Sequence, residues 1–145
     1  MFRRQGDALE VLLVHPGGPY FRDKDHGFWT IPKGEIGEGE DPVSRARTEF
    51  EEELGIAAPA GKLIEIGLVK QKGGKTVHAL ALQGDLPNNF KLESNTFEME
   101  WPPHSGKTER FPEVDRVAFF PIELVRTKIN PAQKIFVDRL ISALA

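Results

Sequence analysis

Four glutamates crowd one short stretch, Glu49, Glu51, Glu52 and Glu53, just ahead of Gly55. A helix reads through this stretch, and its C-terminus carries partial negative charge that favours cations over carboxylates. Like charges at i,i+4, here Glu49 and Glu53, cost roughly 0.2–0.5 kcal/mol even when solvated. Two carboxylates about 4 Å apart near a surface repel by roughly 4 kcal/mol at an effective dielectric of ~20. Glu49, Glu52 and Glu53 fall at i, i+3 and i+4 and so share one helix face. Hard oxygens gathered in this way suit Mg²⁺ or Mn²⁺, which removes the repulsion. The competing reading is a solvated charged surface, and the placement at the helix C-terminus weighs against it.

The elements that must position these carboxylates are legible on either side. Asp41-Pro42 pairs an N-cap residue with proline at the first helical position, and Gly55 is the expected stop. The helix is therefore expected over 42–54, with Val43, Ala46, Phe50 and Leu54 as its buried stripe. The glycine-rich run Gly34–Glu40 is a loop feeding that helix.

These residues also carry a resemblance. Gly34, Glu40, Glu49, Phe50, Glu52, Glu53, Gly55 and Ile56 stand at the spacing of the Nudix box, Gly-x5-Glu-x7-Arg-Glu-U-x-Glu-Glu-x-Gly-U, where U is bulky and apolar. The segment is similar to that box at all but one specified position, a far more specific match than a lone glycine motif. Thr48 stands where the family has arginine. Trp29–Gly34 resembles the usual lead-in, and weaker similarity covers most of the chain after about residue 8. The resemblance implies a mixed sheet sandwiched between helices, with the box as loop–helix–loop. It implies Glu52 and Glu53 as principal divalent-metal ligands and Glu49 as a further ligand or the base. It adds the Lys33 carbonyl as a ligand and makes Glu40 a structural partner. The activity implied is hydrolysis of a diphosphate linkage in a nucleoside-diphosphate-linked substrate, a dinucleoside polyphosphate among them. The alternative is a non-catalytic Nudix-fold protein that binds nucleotides or regulates. Retention of Glu49, Glu52 and Glu53 argues against that alternative.

Further candidates surround the box. Arg45 lies at i−4 to Glu49 and on the same face as Glu52, so it is placed to supply the cation that Thr48 lacks. Arg47 points away. A general base outside the box is sought among Glu98, Glu100, Glu113 and Asp115, for each of which a plain surface carboxylate is the commoner reading. Lys33, Lys70, Lys72, Lys75, Lys107 and Arg110 are candidates for phosphate contact. Trp29, Phe97 and Trp101 are candidates for stacking on a base. The four histidines show no zinc spacing.

The rest of the chain bounds these readings. Its 145 residues make a single domain over 1–145. A net charge of −3 argues against a nucleic-acid partner, and the absence of cysteine excludes disulfides and thiolate metal sites. No run approaches the ~20 apolar residues of a membrane span, so a cytoplasmic protein, monomeric or homodimeric, is expected. Strands are expected at Leu9–His15, Phe28–Ile31, Leu63–Lys70, Lys75–Gln83, Thr96–Trp101 and Arg116–Phe120. A short helix is expected over Pro121–Lys128. A final helix follows Asn130-Pro131, with Ala132, Ile135, Phe136, Leu140 and Leu144 on one face. Pattern alone gives α/β or α+β. Met1-Phe2-Arg3-Arg4 stands where the family's first strand ends, so either that strand is lost or Met1 is an internal methionine of a longer protein. Such a loss exposes a sheet edge.

Overall fold

The computed structural model describes residues 1–33, 39–70 and 72–145. Strand β1 (Phe2–Gln5) and strand β2 (Ala8–Pro16) form an antiparallel hairpin, and β7 (Val114–Pro121) pairs with the other edge of β2. A second pair, β3 (Leu63–Lys70) and β4 (Thr76–Leu82), is antiparallel as well. A parallel bridge, Phe2↔Gln83, joins the two parts and makes the sheet mixed. The third pair, β5 (Thr96–Glu100) and β6 (Thr108–Pro112), is a separate hairpin.

Helices cover both faces. Helix α1 (Pro42–Leu54) lays Phe50 and Leu54 on Leu12, Val14 and Val114. Helices α2 (Ile122–Lys128) and α3 (Lys134–Leu144) close the other face, where Val125, Phe136, Val137 and Leu140 meet Val11, Leu13, Trp29, Ile66 and Val77. The α+β sandwich is the expected one. An apolar cavity lies at the seam between the sheet parts, lined by Phe2, Val11, Phe50, Ala79 and Phe136. Among the described residues no carboxylate lines it.

Several expectations need correction. The first strand is present in short form as β1, and Leu12 N–H also donates to the Met1 carbonyl. Phe28–Ile31 is not a strand: Trp29 and Thr30 make only isolated bridges, because the segment crosses between Val14 and Ile129. Strand β6 was not expected. Its sequence, Thr-Glu-Arg-Phe-Pro, is largely polar and is held as a strand by pairing with β5. Val43 and Ile135 are exposed rather than core. Pro131–Gln133 forms a 3₁₀ turn, which delays the last helix to Lys134 and rotates Val137 inward in place of Ile135.

Candidate active site

Helix α1 delivers the glutamates. Asp41 caps it, accepting from the Ser44 N–H at 3.2 Å, and Gly55 ends it in the left-handed region at φ 86°. A side chain at Gly55 is excluded twice, because its Cβ would also lie 2.6 Å from the Glu93 carbonyl oxygen. That close approach docks the 93–95 segment on the helix end. Glu93 N–H donates to the Leu54 carbonyl at 3.1 Å, and Asn95 N–H to the Glu52 carbonyl at 2.8 Å. Two orphan carbonyls of the helix terminus are satisfied in this way.

The helix does not bury the whole apolar stripe the sequence suggests. It buries Glu49 and Glu53 beside Phe50 and Leu54, while Thr48 and Glu51 are exposed and Glu52 is half-buried. Glu53 Oε2 accepts from the Lys33 N–H at 3.0 Å, tying the residue before the box to the helix. Burial pushes the Glu53 carboxyl up to about 8. The Lys33 charge and its backbone N–H oppose the shift, and the charges of Glu49 and Glu113 add to it. Glu49 is raised too, first by burial and further by Glu52 and Glu113, with Arg45 acting in the opposite direction.

Arg45 donates to Glu49 Oε1 in a close contact, and its Nε lies 3.7 Å from Glu40 Oε2. It therefore occupies the electrostatic position that Thr48 leaves vacant. Arg47 turns away to the Pro59 carbonyl at 3.3 Å.

The outside carboxylates separate by position. Glu113 is exposed, and its charge adds to the upward shift of both Glu49 and Glu53. Its backbone is gripped on both sides: its N–H donates to the Asn95 carbonyl at 2.8 Å, and its carbonyl accepts from the Gly17 N–H at 2.9 Å. Only glycine fits at 17, since a Cβ there would lie 2.0 Å from the Pro112 oxygen. Glu98 is exposed and pairs with Arg110 at 2.8 Å. Glu100 accepts from the His104 N–H at 2.7 Å. Asp115 turns to His15 at 2.7 Å. The structure thus joins Glu53 to the Lys33 backbone and Glu49 to Arg45, ties the Glu113 backbone to α1 through Asn95, and leaves Glu98 and Glu100 on the exposed face of the hairpin.

Other candidates fare differently. Trp29 is 4% exposed, its ring edge packed on Phe120 and its Nε1–H donating to Asp25, so it cannot stack on a ligand. Trp101 is half-buried and meets Tyr20 edge-on at 5.4 Å. The side chain of Lys72 and the box residues 34–38 lie outside the described residues. Asn95 and Gly17 were missed from the sequence. Asn95 reads only as a loop residue, and the Gly17-Gly18 pair reads only as a strand breaker.

A family model of the NUDIX domain matches residues 1–140. The chain belongs to the Nudix family. No curated protein sequence matches. Solved Nudix-like structures share the fold. An Ap4A hydrolase binary complex from C. elegans superposes with a TM-score of 0.66 at 18% identity, covering 99% of this chain and 92% of that one. The NUDIX domain of Shewanella oneidensis NrtR complexed with ADP ribose gives 0.63 at 14%, covering 99% and 83%. The E. coli ORF135 protein gives 0.58 at 16%, covering 99% and 86%. At the level of the family, this Nudix chain is a pyrophosphohydrolase. Among the described residues no helix is long and apolar enough to cross a membrane.

The Nudix donor set fits a hard divalent cation. Glu53 is a buried carboxylate that accepts from the Lys33 backbone N–H, and the charges of Glu49 and Glu113 oppose its ionisation. Among the described residues no three acidic or imidazole side chains close into a cage. Mg²⁺ does not require one, since it is usually held by one or two carboxylates with water and substrate phosphates.

Proposed function

We propose that this Nudix chain hydrolyses the diphosphate linkage of a nucleoside diphosphate joined to a second group, using Mg²⁺ or Mn²⁺. The observation that carries the reading is the burial of two carboxylates, Glu49 and Glu53, on one face of α1 with Glu52 half-buried beside them. Two structural neighbours support the substrate class by their names: one is an Ap4A hydrolase, the other binds ADP ribose.

Glu52 and Glu53 would hold the cation, with Glu49 and the Lys33 carbonyl as further donors. The bound cation supplies neutralisation of charge on the phosphate oxygens of a loose transition state. Lys33 N–H fixes the orientation of the Glu53 carboxylate. Arg45 holds Glu49 and opposes the upward shift that burial imposes on it. Glu113 takes the proton from the attacking water, a role for which it must sit within hydrogen-bond reach of that water. Two backbone hydrogen bonds fix its main chain beside the 93–95 segment docked on α1. The phosphate candidates Lys33 and Lys72 lie before the box and on the β3–β4 turn.

The test is product formation from a panel of nucleoside-diphosphate-linked compounds, dinucleoside polyphosphates and ADP-sugars included. The expected result is cleavage within the phosphate chain with Mg²⁺ or Mn²⁺ and none with chelator. Tight binding of panel members without cleavage under either metal would favour a regulatory protein instead.

A further inference from the structure

One buried titratable group has no part in that scheme. His15 is fully buried at the end of β2. Its Nδ1 lies 2.7 Å from Asp115 Oδ1 and its Nε2 lies 2.6 Å from the Lys24 carbonyl oxygen. Arg116 Nη2 reaches the same carbonyl at 3.3 Å and lies 2.9 Å from Nε2. The imidazole packs edge-on to Trp29 at 5.1 Å between centroids. A buried polar ring with both nitrogens engaged is costly to assemble unless every partner is in place.

Its position in the sheet gives it a task. The β2–β7 register runs regularly to His15↔Arg116 and then slips, so that Pro16 pairs with Val114. Asp115 is the residue left over, a β-bulge. Bulges bend a strand and re-aim the side chains beyond them, often next to active sites. Val117 and Phe119 pack toward α1, and strict alternation would put Asp115 on that side and Val114 on the other. Instead Val114 is buried against Phe50 and Leu54, and Asp115 bonds His15 on the opposite side of the sheet. Glu113 is the next residue outward, just before β7; its carbonyl meets Gly17, two residues beyond His15, and its N–H donates to Asn95, whose own N–H donates to the Glu52 carbonyl of α1. Lys24 belongs to the 17–27 segment that begins at that same glycine.

We infer that His15, through Asp115, is a positioning residue that locks the bulge and thereby fixes the backbone of Glu113 beside the C-terminal end of α1. Moving the slip by one residue would lift Val114 off the α1 core and carry Glu113 with it. The inference rests on Glu113 being the base, as proposed above.

Two substitutions divide the imidazole. His15→Asn places an amide nitrogen where Nδ1 stands and keeps the donor to Asp115. His15→Gln reaches the Nε2 position and loses that donor. Steady-state kinetics on the full chain should show kcat falling about 10- to 100-fold in His15→Gln with KM little changed, because a misplacement of ~1 Å can cost 10²-fold. His15→Asn should retain most of the turnover. Should the histidine variants fail to fold, Asp115→Ala and Asp115→Asn make the same comparison from the half-buried partner, with only alanine impaired. Combining His15→Gln or Asp115→Ala with Glu113→Gln should slow the enzyme no further than Glu113→Gln alone. Losses that multiply in the double variant, or full turnover in both His15→Gln and Asp115→Ala beside an impaired Glu113→Gln, would overturn the positioning role. Parent-like turnover in Glu113→Gln would instead overturn the base assignment, and this inference with it.

Discussion

Glu53→Gln should stabilise the metal-free protein at pH 8 while abolishing turnover. The carboxyl is 8% exposed and its folded pKa is about 8 against an ordinary 4.5. A folded pKa above the unfolded one means that the neutral acid is the form the fold prefers. The associated stability is complete below about pH 4.5 and is lost as pH rises through about 8. At ~1.36 kcal/mol per pH unit, the loss is on the order of 4–5 kcal/mol by pH 8. Glu49 is raised as well and adds to the loss in the same direction. The depressed groups Asp25, Asp41 and Asp85 act only below about their ordinary 3.8, outside this window. Glutamine keeps an oxygen for the Lys33 N–H and removes the charge. At roughly 2–4 °C per kcal/mol, the variant should melt on the order of 10 °C higher than the parent at pH 8 in chelator, and close to it at pH 4.5. Saturating Mg²⁺, at ~100 times its dissociation constant, should restore roughly 2.7 kcal/mol to the parent and little to the variant. Scanning calorimetry over pH 4.5–8, with and without metal, reads all three effects. A variant less stable than the parent at pH 8 without metal would refute the claim that Glu53 carries a desolvated charge awaiting a cation.

Other outcomes follow from the same geometry. Thr48→Arg should change turnover little in the parent, because Arg45 already pairs with Glu49, but should rescue Arg45→Ala; a double-mutant cycle should show coupling above ~0.5 kcal/mol. Glu113→Gln should lower kcat by roughly 10²–10⁴, while Glu98→Gln, remote on the hairpin, should be silent in the same assay. Gly17→Ala should destabilise by about 1–3 kcal/mol in denaturant titration and reduce turnover, because the new Cβ drives into the Pro112 carbonyl and breaks the grip on Glu113.

The helix and its caps were legible because each rests on local chemistry. Asp41, Pro42 and Gly55 act within one turn of themselves, and the structure places α1 at Pro42–Leu54 as the spacing requires. The hairpin of β3 and β4 was readable for the same reason. What failed depends on distant chain. Trp29 reads as an available aromatic, yet its burial is set by Phe120 and by α2 and α3. Strand β6 has too little apolar alternation to announce itself and exists through its pairing with β5. Glu113 was one of several equivalent surface carboxylates in the sequence. Its backbone is held by Gly17 and Asn95, two contacts between segments far apart in the chain, beside the slip at Asp115. Arg45 was identified from helical spacing alone, and its pairing with Glu49 is an i,i+4 contact that needs no tertiary information.

Hydrolysis in ¹⁸O-labelled water tests the central claim most directly. The parent, given Mg²⁺ and a dinucleoside polyphosphate or an ADP-sugar, should yield two phosphorylated products. One of them should carry a single ¹⁸O on phosphorus, and Glu53→Gln or chelator should abolish its formation. Label on carbon rather than phosphorus, or product that persists at the parent rate in Glu53→Gln, would contradict a metal-assisted attack on the diphosphate directed by the glutamates of α1.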